Sequence, residues 1–335
     1  MTPQLPVWRQ IVEMTLLYFF RRIGPRYYLQ GRWGRCEISF SHKWRHVNRS
    51  EYLKIIGRLN PIPYRKSTQH KLIEKSVLTL QKIPTPDYIG YVHTIRGRCK
   101  QGHPVRNATQ LATLLMGFEN RRVCFKPVEG FGGFGFASYQ ISILNGGVEL
   151  RRDSTEAPIS IENWWRSNGA NEEGFLLESH LEQHPDIAAL HTSSVNTIRI
   201  WVTLINECPQ VIGAFFRVGR NGSQVDNQSS GGIACPLNLD SGTVREAIDS
   251  QRPGYPVIKH PNSQIALTGF QVPFWHEAKV LAGEALLAFP LMKLAGLDVA
   301  ITPTGPCVIE LNVMPEYMGC AYMDLALKDK FHDQN

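Results

Sequence analysis

Two groups of residues in the 335-residue chain combine side-chain types that do chemistry together. The first is Lys126-Pro127-Val-Glu-Gly130-Phe-Gly132-Gly133-Phe-Gly135. Closely spaced glycines let backbone N–H groups approach phosphate oxygens, and a lysine just before them supplies charge for the same oxygens. The pattern reads as a phosphate grip. The second group is Asp298, Glu310 and Asn312. Side chains on a strand repeat every two residues, so Glu310 and Asn312 project from one face, and a facing strand can bring Asp298 beside them. Hard oxygen donors without His or Cys suit magnesium, which keeps waters and shares its remaining ligands with substrate phosphates. Each group also has a plainer reading: a Gly-rich turn with a solvated lysine, and carboxylates that blunt a strand edge.

The elements that must position these residues narrow the choice. Positions 130, 132 and 135 satisfy GxGxxG, but a dinucleotide fingerprint leads into a helix, and residues 137–144 read as a strand. The glycines therefore sit at the tip of a hairpin and form a lid. A protein-kinase loop would share that hairpin, yet no HRD or DFG follows. Residues 60–85 carry a helix signal ended by Ile83-Pro-Thr-Pro86, and residues 88–94 alternate as a strand. Residues 97–104 read as loop, and Asn107 caps an apolar helix. Strands are predicted at 122–126, 138–144, 148–151, 175–178, 197–204 and 211–218, with Gly146-Gly147 as the turn of the second hairpin. A helix is predicted within 272–289, then a closing hairpin of 299–301 with 308–311 around Gly305-Pro306.

Composition bounds the rest. With 43% hydrophobic and 19% charged residues, the chain is neither disordered nor fibrous, and its length predicts two or three domains. Seven cysteines without a CxxC pair indicate neither a disulfide framework nor a zinc knuckle, and fit a reducing compartment such as the cytoplasm. Of the net charge of +7, residues 1–75 carry 15 Lys+Arg against 4 Asp+Glu, so the basic character belongs to the N-terminal segment. That segment interleaves Trp8, Ile11, Val12, Leu16, Leu17, Phe19, Phe20 and Ile23 with Arg9, Arg21, Arg22 and Arg26. Its apolar run is too short to span a bilayer, and Glu13 argues against a signal peptide. The expectation is a helix packed on the main body with its basic face solvated; peripheral docking on an anionic membrane is the second reading. Nucleic acid is not expected as a partner, since no recognised motif accompanies the charge.

In their order along the chain these residues resemble the ATP-grasp superfamily, and within it the sugar-transfer-associated ATP-grasp family, close to the α-glutamate ligase-like enzymes. The resemblance runs from about residue 60 to residue 315. It is carried by Ile83-Pro-Thr-Pro86, Lys126-Pro127 with its glycines, Glu178-Ser-His-Leu-Glu-Gln-His-Pro185, Ser194-Val-Asn-Thr-Ile-Arg199, Phe216-Arg217, Asp226-Asn227 to Gly231-Gly232, Asp298-Val-Ala and Glu310-Leu-Asn312. It implies an α+β fold in which two α+β subdomains grip ATP between them, preceded by a basic helical extension. The implied parts are the extension 1–59, an N-terminal or linker part 60–120, a lid subdomain 121–190 and a C-terminal subdomain 191–325 with the metal site.

The resemblance also implies roles. Lys126 contacts the ATP phosphates beneath a lid formed by Gly130, Gly132, Gly133 and Gly135. Glu178 and the backbone of Leu181 lie at the base of the adenine and ribose pocket, with Glu182 or Asp186 near the ribose. Asp298, Glu310 and Asn312 hold Mg2+, Arg199 and Arg217 steady the transferred phosphoryl group, and Asp226, Asn227, Gly231 and Gly232 face the acceptor. The implied reaction is Mg-ATP-dependent ligation: a carboxylate attacks the γ-phosphate, and an amine captures the acyl phosphate as an amide. The family name places the acceptor in a sugar or polysaccharide setting. The alternatives are a kinase on the same fold and a non-catalytic nucleotide-binding protein. Positioning and electrostatics suffice for this chemistry, so no nucleophilic Ser or Cys is expected, and His180 and His184, four residues apart, are read as packing groups rather than metal ligands.

Overall fold

The alternating apolar residues at 88–94, 122–126 and 175–178 become neighbouring strands of one sheet in the computed structural model, which describes residues 3–130, 133–153, 156–169, 171–249, 251–252 and 255–331. The chain divides into two units, Ser67–Glu182 and a second made of Met1–Lys66 with Gln183–Asn335. The divisions fall after Lys66 and Glu182, whereas the expected parts end at residues 59, 120 and 190.

Within Ser67–Glu182 a seven-stranded antiparallel sheet runs Arg98–Cys99, Tyr88–Val92, Phe175–Ser179, Arg122–Pro127, Ala137–Leu144, Gly147–Arg151, Ile159–Ser160. Leu111 and Leu115 of the helix Ala108–Met116, and Ile161 and Trp164 of the helix Ile161–Asn168, cover one face over Val123, Phe125, Ile141 and Leu177. Asn107 caps the first of these helices as predicted, accepting from the Gln110 amide. Because side chains alternate, Leu176 faces the other way, where it packs with Tyr91, Val128 and Leu72. Leu144 pairs directly with Gly147, so the turn residues are Asn145 and Gly146, at φ 51° and 79°. Two successive left-handed residues are what a two-residue hairpin requires, which moves the turn one residue from its predicted place. The single helix signal at 60–85 resolves into Ile62–Gln69 and Lys71–Leu80, broken at an extended His70.

The other unit holds a second antiparallel sheet: Pro256–Val257, Ala247–Asp249, Ile233–Pro236, Cys208–Val218, Thr197–Ile205, Leu294–Thr302, Gly305–Asn312. Thr302 pairs with Gly305, so Pro303-Thr304 makes the closing turn and Gly305, at φ 138°, begins the returning strand. The buried face of the helix Trp275–Leu287 carries Ala278, Leu281, Ala282, Ala285 and Leu286. The N-terminal residues are part of this unit's core: Leu17, Ile23, Tyr27, Tyr28, Trp33, Tyr52 and Ile56 pack with Trp201, Phe215, Leu294 and Tyr322. Asn60 is fully buried and ties the segment in; its amide donates to the Leu294 and Val313 carbonyls, and its oxygen accepts from the Lys293 and Leu294 amides.

The first helix departs from the expected orientation. In Val7–Leu16 and the π-turn Leu17–Arg21, the inward residues are Glu13 and Leu17. The Glu13 carboxylate accepts from Tyr28 Oη at 2.8 Å and from the fully buried Lys43 Nζ at 2.6 Å. With a charge pair turned inward, helical periodicity puts Trp8, Ile11, Val12, Thr15 and Phe19 on the opposite side. The exposed face is thus apolar and aromatic, with Trp8, Ile11, Phe19 and Phe20 each 54–72% exposed.

Candidate functional site

Lys126 leaves its strand on the face shared with Leu176, because Phe125 on one side of it and Leu177 across the register both face the helices. On that face Glu178 is 1% exposed and holds two lysines: Lys126 Nζ at 2.5 Å and Lys75 Nζ in a second close ion pair. Lys75 also donates to Thr85 Oγ1 and the Pro86 carbonyl, so the Pro-Thr-Pro segment fixes its tip. Burial alone would push the Glu178 carboxyl up; Lys126 and Lys75 outweigh it and hold the group below the ordinary carboxylate range. Nearby, burial pushes the Cys124 thiol up to about 11.

The strands Arg122–Pro127 and Ala137–Leu144 pair antiparallel from Arg122–Gln140 to Phe125–Ala137, which makes the glycine stretch the connection of a hairpin and rules out a strand-to-helix fingerprint. Gly130, Gly133 and Gly135 all take positive φ. A Cβ on Gly135, at φ 72°, would stand 2.6 Å from Pro127 Cγ, so both conformation and space demand glycine there. Gly132 lies outside the described residues. Lys71 Nζ donates to the Gly130 carbonyl at 3.1 Å. Leu181 is half-buried and Glu182 exposed. His180 accepts or donates at Ser138 Oγ, 3.2 Å away.

In the other unit, the register sets Asp298 opposite both Arg199 and Glu310, and Gly296 opposite Asn312. Glu310 and Asn312 are two apart on one strand and share a face with Asp298. Asp298, 4% exposed, takes a bidentate pair from Arg199, with the Nη2–Oδ2 distance 2.9 Å, and a second guanidinium from Arg217 at 2.9 Å. Burial alone would raise the Asp298 carboxyl; the two arginines reverse this and hold it below its usual value. Arg199 is raised in turn, as the attraction of Asp298 and Glu310 overcomes its burial. Two guanidinium groups thus face three carboxylates: Asp298, Glu310 and Asp226. Asn312 Nδ2 is buried with no hydrogen-bond partner among protein groups, a state that costs about 1–3 kcal/mol. Glu310 and the Asn312 carbonyl oxygen are hard donors of the kind magnesium takes, while the unpartnered Asn312 Nδ2–H, which cannot bind a cation, suits an anion such as a phosphate oxygen; both Asp298 oxygens, expected as metal ligands, are instead taken by Arg199 and Arg217.

Several expected residues stand elsewhere than the resemblance implied. Arg217 is 5% exposed and spends its donors on Thr197 Oγ1, Asn227 Oδ1, Asp226 and Asp298, which makes it a residue that positions Asp298. Asp226, expected to face an acceptor, is committed inward: its Oδ2 accepts from the Thr197 amide at 2.8 Å and from Thr197 Oγ1 at 2.6 Å. Burial pushes the Asp226 carboxyl up, with Arg217 opposing and Asp298 adding. Gly231 takes φ 91°, and a Cβ on Gly232 would meet the Asp226 carbonyl at 2.1 Å, so this glycine pair shapes the Asp226 loop. Asp186 is exposed in the short helix Pro185–Ala188, which His184 caps by accepting from its amide. Lys75 and Thr197 went unforeseen. Lys75 had a signal, a lysine three residues before buried Leu78 on the core stripe of its helix; Thr197 had none, because its role depends on which strand lies beside it.

Residues 50–329 match the family model described as sugar-transfer associated ATP-grasp. No curated protein matches the chain. Among solved structures, the chain is similar to D-alanyl-alanine synthetase A from Vibrio cholerae O1 biovar eltor str. N16961, with 10% identity, a TM-score of 0.47, and coverage of 81% of this chain and 63% of that one. It is also similar to an L-amino acid ligase from Bacillus licheniformis, with 14% identity, a TM-score of 0.41, and coverage of 95% and 56%. A biotin carboxylase from Campylobacter jejuni gives 11% identity, a TM-score of 0.47, and coverage of 84% and 51%. The chain thus spans between about half and 63% of the length of these three structures.

Proposed function

The chain belongs to the sugar-transfer associated ATP-grasp family, and from that premise we propose that it is a Mg-ATP-dependent ligase joining a carboxylate to an amine or a sugar-linked acceptor. The observation that carries this reading is the register that sets Asp298 opposite Glu310, with Asn312 on the same face. Glu310 and Asn312 would hold magnesium, with Asp298 beside them; the ion supplies positive charge that offsets the phosphate oxygens. Lys126, pointed by its ion pair with Glu178, binds phosphate oxygens under the glycine lid. Arg199 pairs with Asp298 through Nε and Nη2, and its remaining Nη serves a phosphoryl oxygen. Arg217 holds Asp298 in place. In the reaction a carboxylate oxygen of the substrate forms a bond to the γ-phosphorus as ADP departs. An amine nitrogen then attacks the acyl carbon, phosphate leaves, and the amine loses a proton.

Calorimetry with a non-hydrolysable ATP analogue tests the site without knowledge of the substrate. The wild type should bind in a magnesium-dependent manner, and a Glu310→Ala, Asn312→Ala double variant should lose at least about 100-fold in that affinity, beyond the 10–100-fold typical of a lost supporting group. A folded wild type that ignores the analogue would leave a non-catalytic relative. Hydroxylamine then separates ligase from kinase: a ligase yields a hydroxamate and free phosphate, whereas a kinase leaves phosphate on its acceptor.

The first helix supports a place of work. We propose that its exposed face, Trp8, Ile11, Val12, Phe19 and Phe20, rests in the headgroup region of an anionic bilayer. Amphipathic helices with aromatic apolar faces bind there, and basic residues flanking them add about 1 kcal/mol each. Arg9, Arg22 and Arg26 are exposed beside this face, and residues 1–35 hold six arginines against one glutamate. No helix among the described residues is long and apolar enough to cross a membrane. In co-sedimentation, the full chain should bind phosphatidylglycerol vesicles in preference to phosphatidylcholine ones, and Trp8→Glu with Phe19→Glu should weaken that binding at least about tenfold. Equal sedimentation of the variant, or a protein dimer abolished by the same changes without any vesicle binding, would remove the proposal.

A further inference from the structure

The geometry points to a second metal centre, remote in sequence from the Asp298 group, in which His42, His46 and Asp324 bind a divalent transition ion of the zinc type. His42 and His46 stand at the end of the helix Phe40–Arg45, and Asp324 follows the helix Met318–Tyr322. His42 Nε2 lies 3.1 Å from Asp324 Oδ2, His46 Nε2 lies 3.3 Å from Asp324 Oδ1, and the two Nε2 atoms are 3.4 Å apart. One ligand atom from each of the three residues can be chosen so that all lie within 4.8 Å of one another. Around a tetrahedral ion with bonds of about 2.0–2.1 Å, the edge between ligands is about 3.3–3.4 Å. The separation of the two Nε2 atoms matches that edge, and each of them lies beside a different oxygen of the Asp324 carboxylate.

Without an ion, each Nε2–H can donate to its own carboxylate oxygen, His42 to Oδ2 and His46 to Oδ1, with the two nitrogens 3.4 Å apart. An ion at that point takes both nitrogen lone pairs and the carboxylate together. Groups behind the ligands are in place to orient them, as in established metal sites. His46 Nδ1 is 2.9 Å from Tyr27 Oη, so with Nε2 on a metal the ring donates its Nδ1–H to that hydroxyl. Trp33 Nε1 donates to Asp324 Oδ1 at 2.9 Å. His46 is fully buried, whereas His42 and Asp324 are partly exposed, which leaves the fourth position to water. Two imidazoles and one carboxylate suit zinc or cobalt and not magnesium or calcium.

Such an ion would tie the N-terminal helices to the segment that follows the helix Met318–Tyr322, two parts of one hydrophobic core that are 278 residues apart between His46 and Asp324. This inference is independent of the ligase reading. It is tested on the tag-free full chain, stripped with a chelator and titrated with Co2+ and Zn2+. One Co2+ per chain should bind with the visible d–d absorption of a tetrahedral ion, zinc should displace it, and zinc should raise the thermal midpoint. His42→Ala changes a partly exposed side chain, and Asp324→Asn keeps an acceptor for Trp33. Each should weaken zinc binding at least about tenfold and abolish the thermal shift. Absence of stoichiometric uptake overturns the site. So does uptake with equal affinity in both variants, which would place the ion elsewhere.

Discussion

Replacing Asp298 with Asn should destabilise the unit that contains it by about 3–5 kcal/mol, read as a lower urea midpoint at unchanged slope. The carboxylate is 4% exposed and compensates two guanidinium groups, Arg199 and Arg217, and an amide offers an acceptor but no charge. Arg217 keeps Asp226 at 3.2 Å, whereas Arg199 would be left with the more distant attraction of Glu310 and Asp226. The same variant should change the acid limb of the stability curve. A carboxyl held below its ordinary value of 3.8 contributes stability that is present above that pH and is lost as pH falls through the lower, folded-state value. With Asp298 gone, the acid limb should flatten. A loss under about 1 kcal/mol would mean that the ion group is solvated rather than buried, and Arg199 would then be expected to move freely.

Lys126→Ala should act on chemistry far more than on folding. Removing one preorganised cationic contact to a phosphoryl group typically costs about 10²–10³-fold in turnover. Its structural cost is smaller, about 1.5–3 kcal/mol for a charged hydrogen bond, because Glu178 retains Lys75, itself fixed by Thr85 and Pro86. ATP-dependent turnover or ATP-analogue binding, measured beside a melting curve, separates the two. Should the variant melt like a Glu178 deletion yet keep its ATP affinity, Lys126 would be a counter-ion for Glu178 and no phosphate ligand.

Alternation of apolar side chains is local information, and it marked the longer strands; the short strands Arg98–Cys99, in a stretch read as loop, Ile159–Ser160, Ile233–Pro236, Ala247–Asp249 and Pro256–Val257 went unforeseen because too few residues alternate in them. The sequence by itself also placed the glycine stretch on a hairpin, since residues 137–144 read as strand, and it put Glu310 and Asn312 on one face, since two-residue spacing guarantees that. Its errors in the hairpins, one residue at Asn145-Gly146 and two at Pro303-Thr304, arose because which two residues carry a tight turn depends on the pairing register. Register is a property of two strands together.

What only the tertiary structure decided is which charges meet. Lys75 and Glu178 are 103 residues apart, and no spacing rule could pair them. Arg217 and Asp226 read from the chain as groups for a substrate, yet burial commits both to neighbours, since a buried charge must be compensated where it lies. The first helix teaches the same point from the opposite side. Its pattern of apolar and basic residues was plain, and periodicity would turn the apolar stripe inward; the structure instead turns Glu13 and Leu17 inward and leaves Trp8 and Phe19 outside. A helix has one rotational freedom about its axis, and the partner that compensates the inward Glu13 is Lys43, 30 positions away, where local periodicity carries no information.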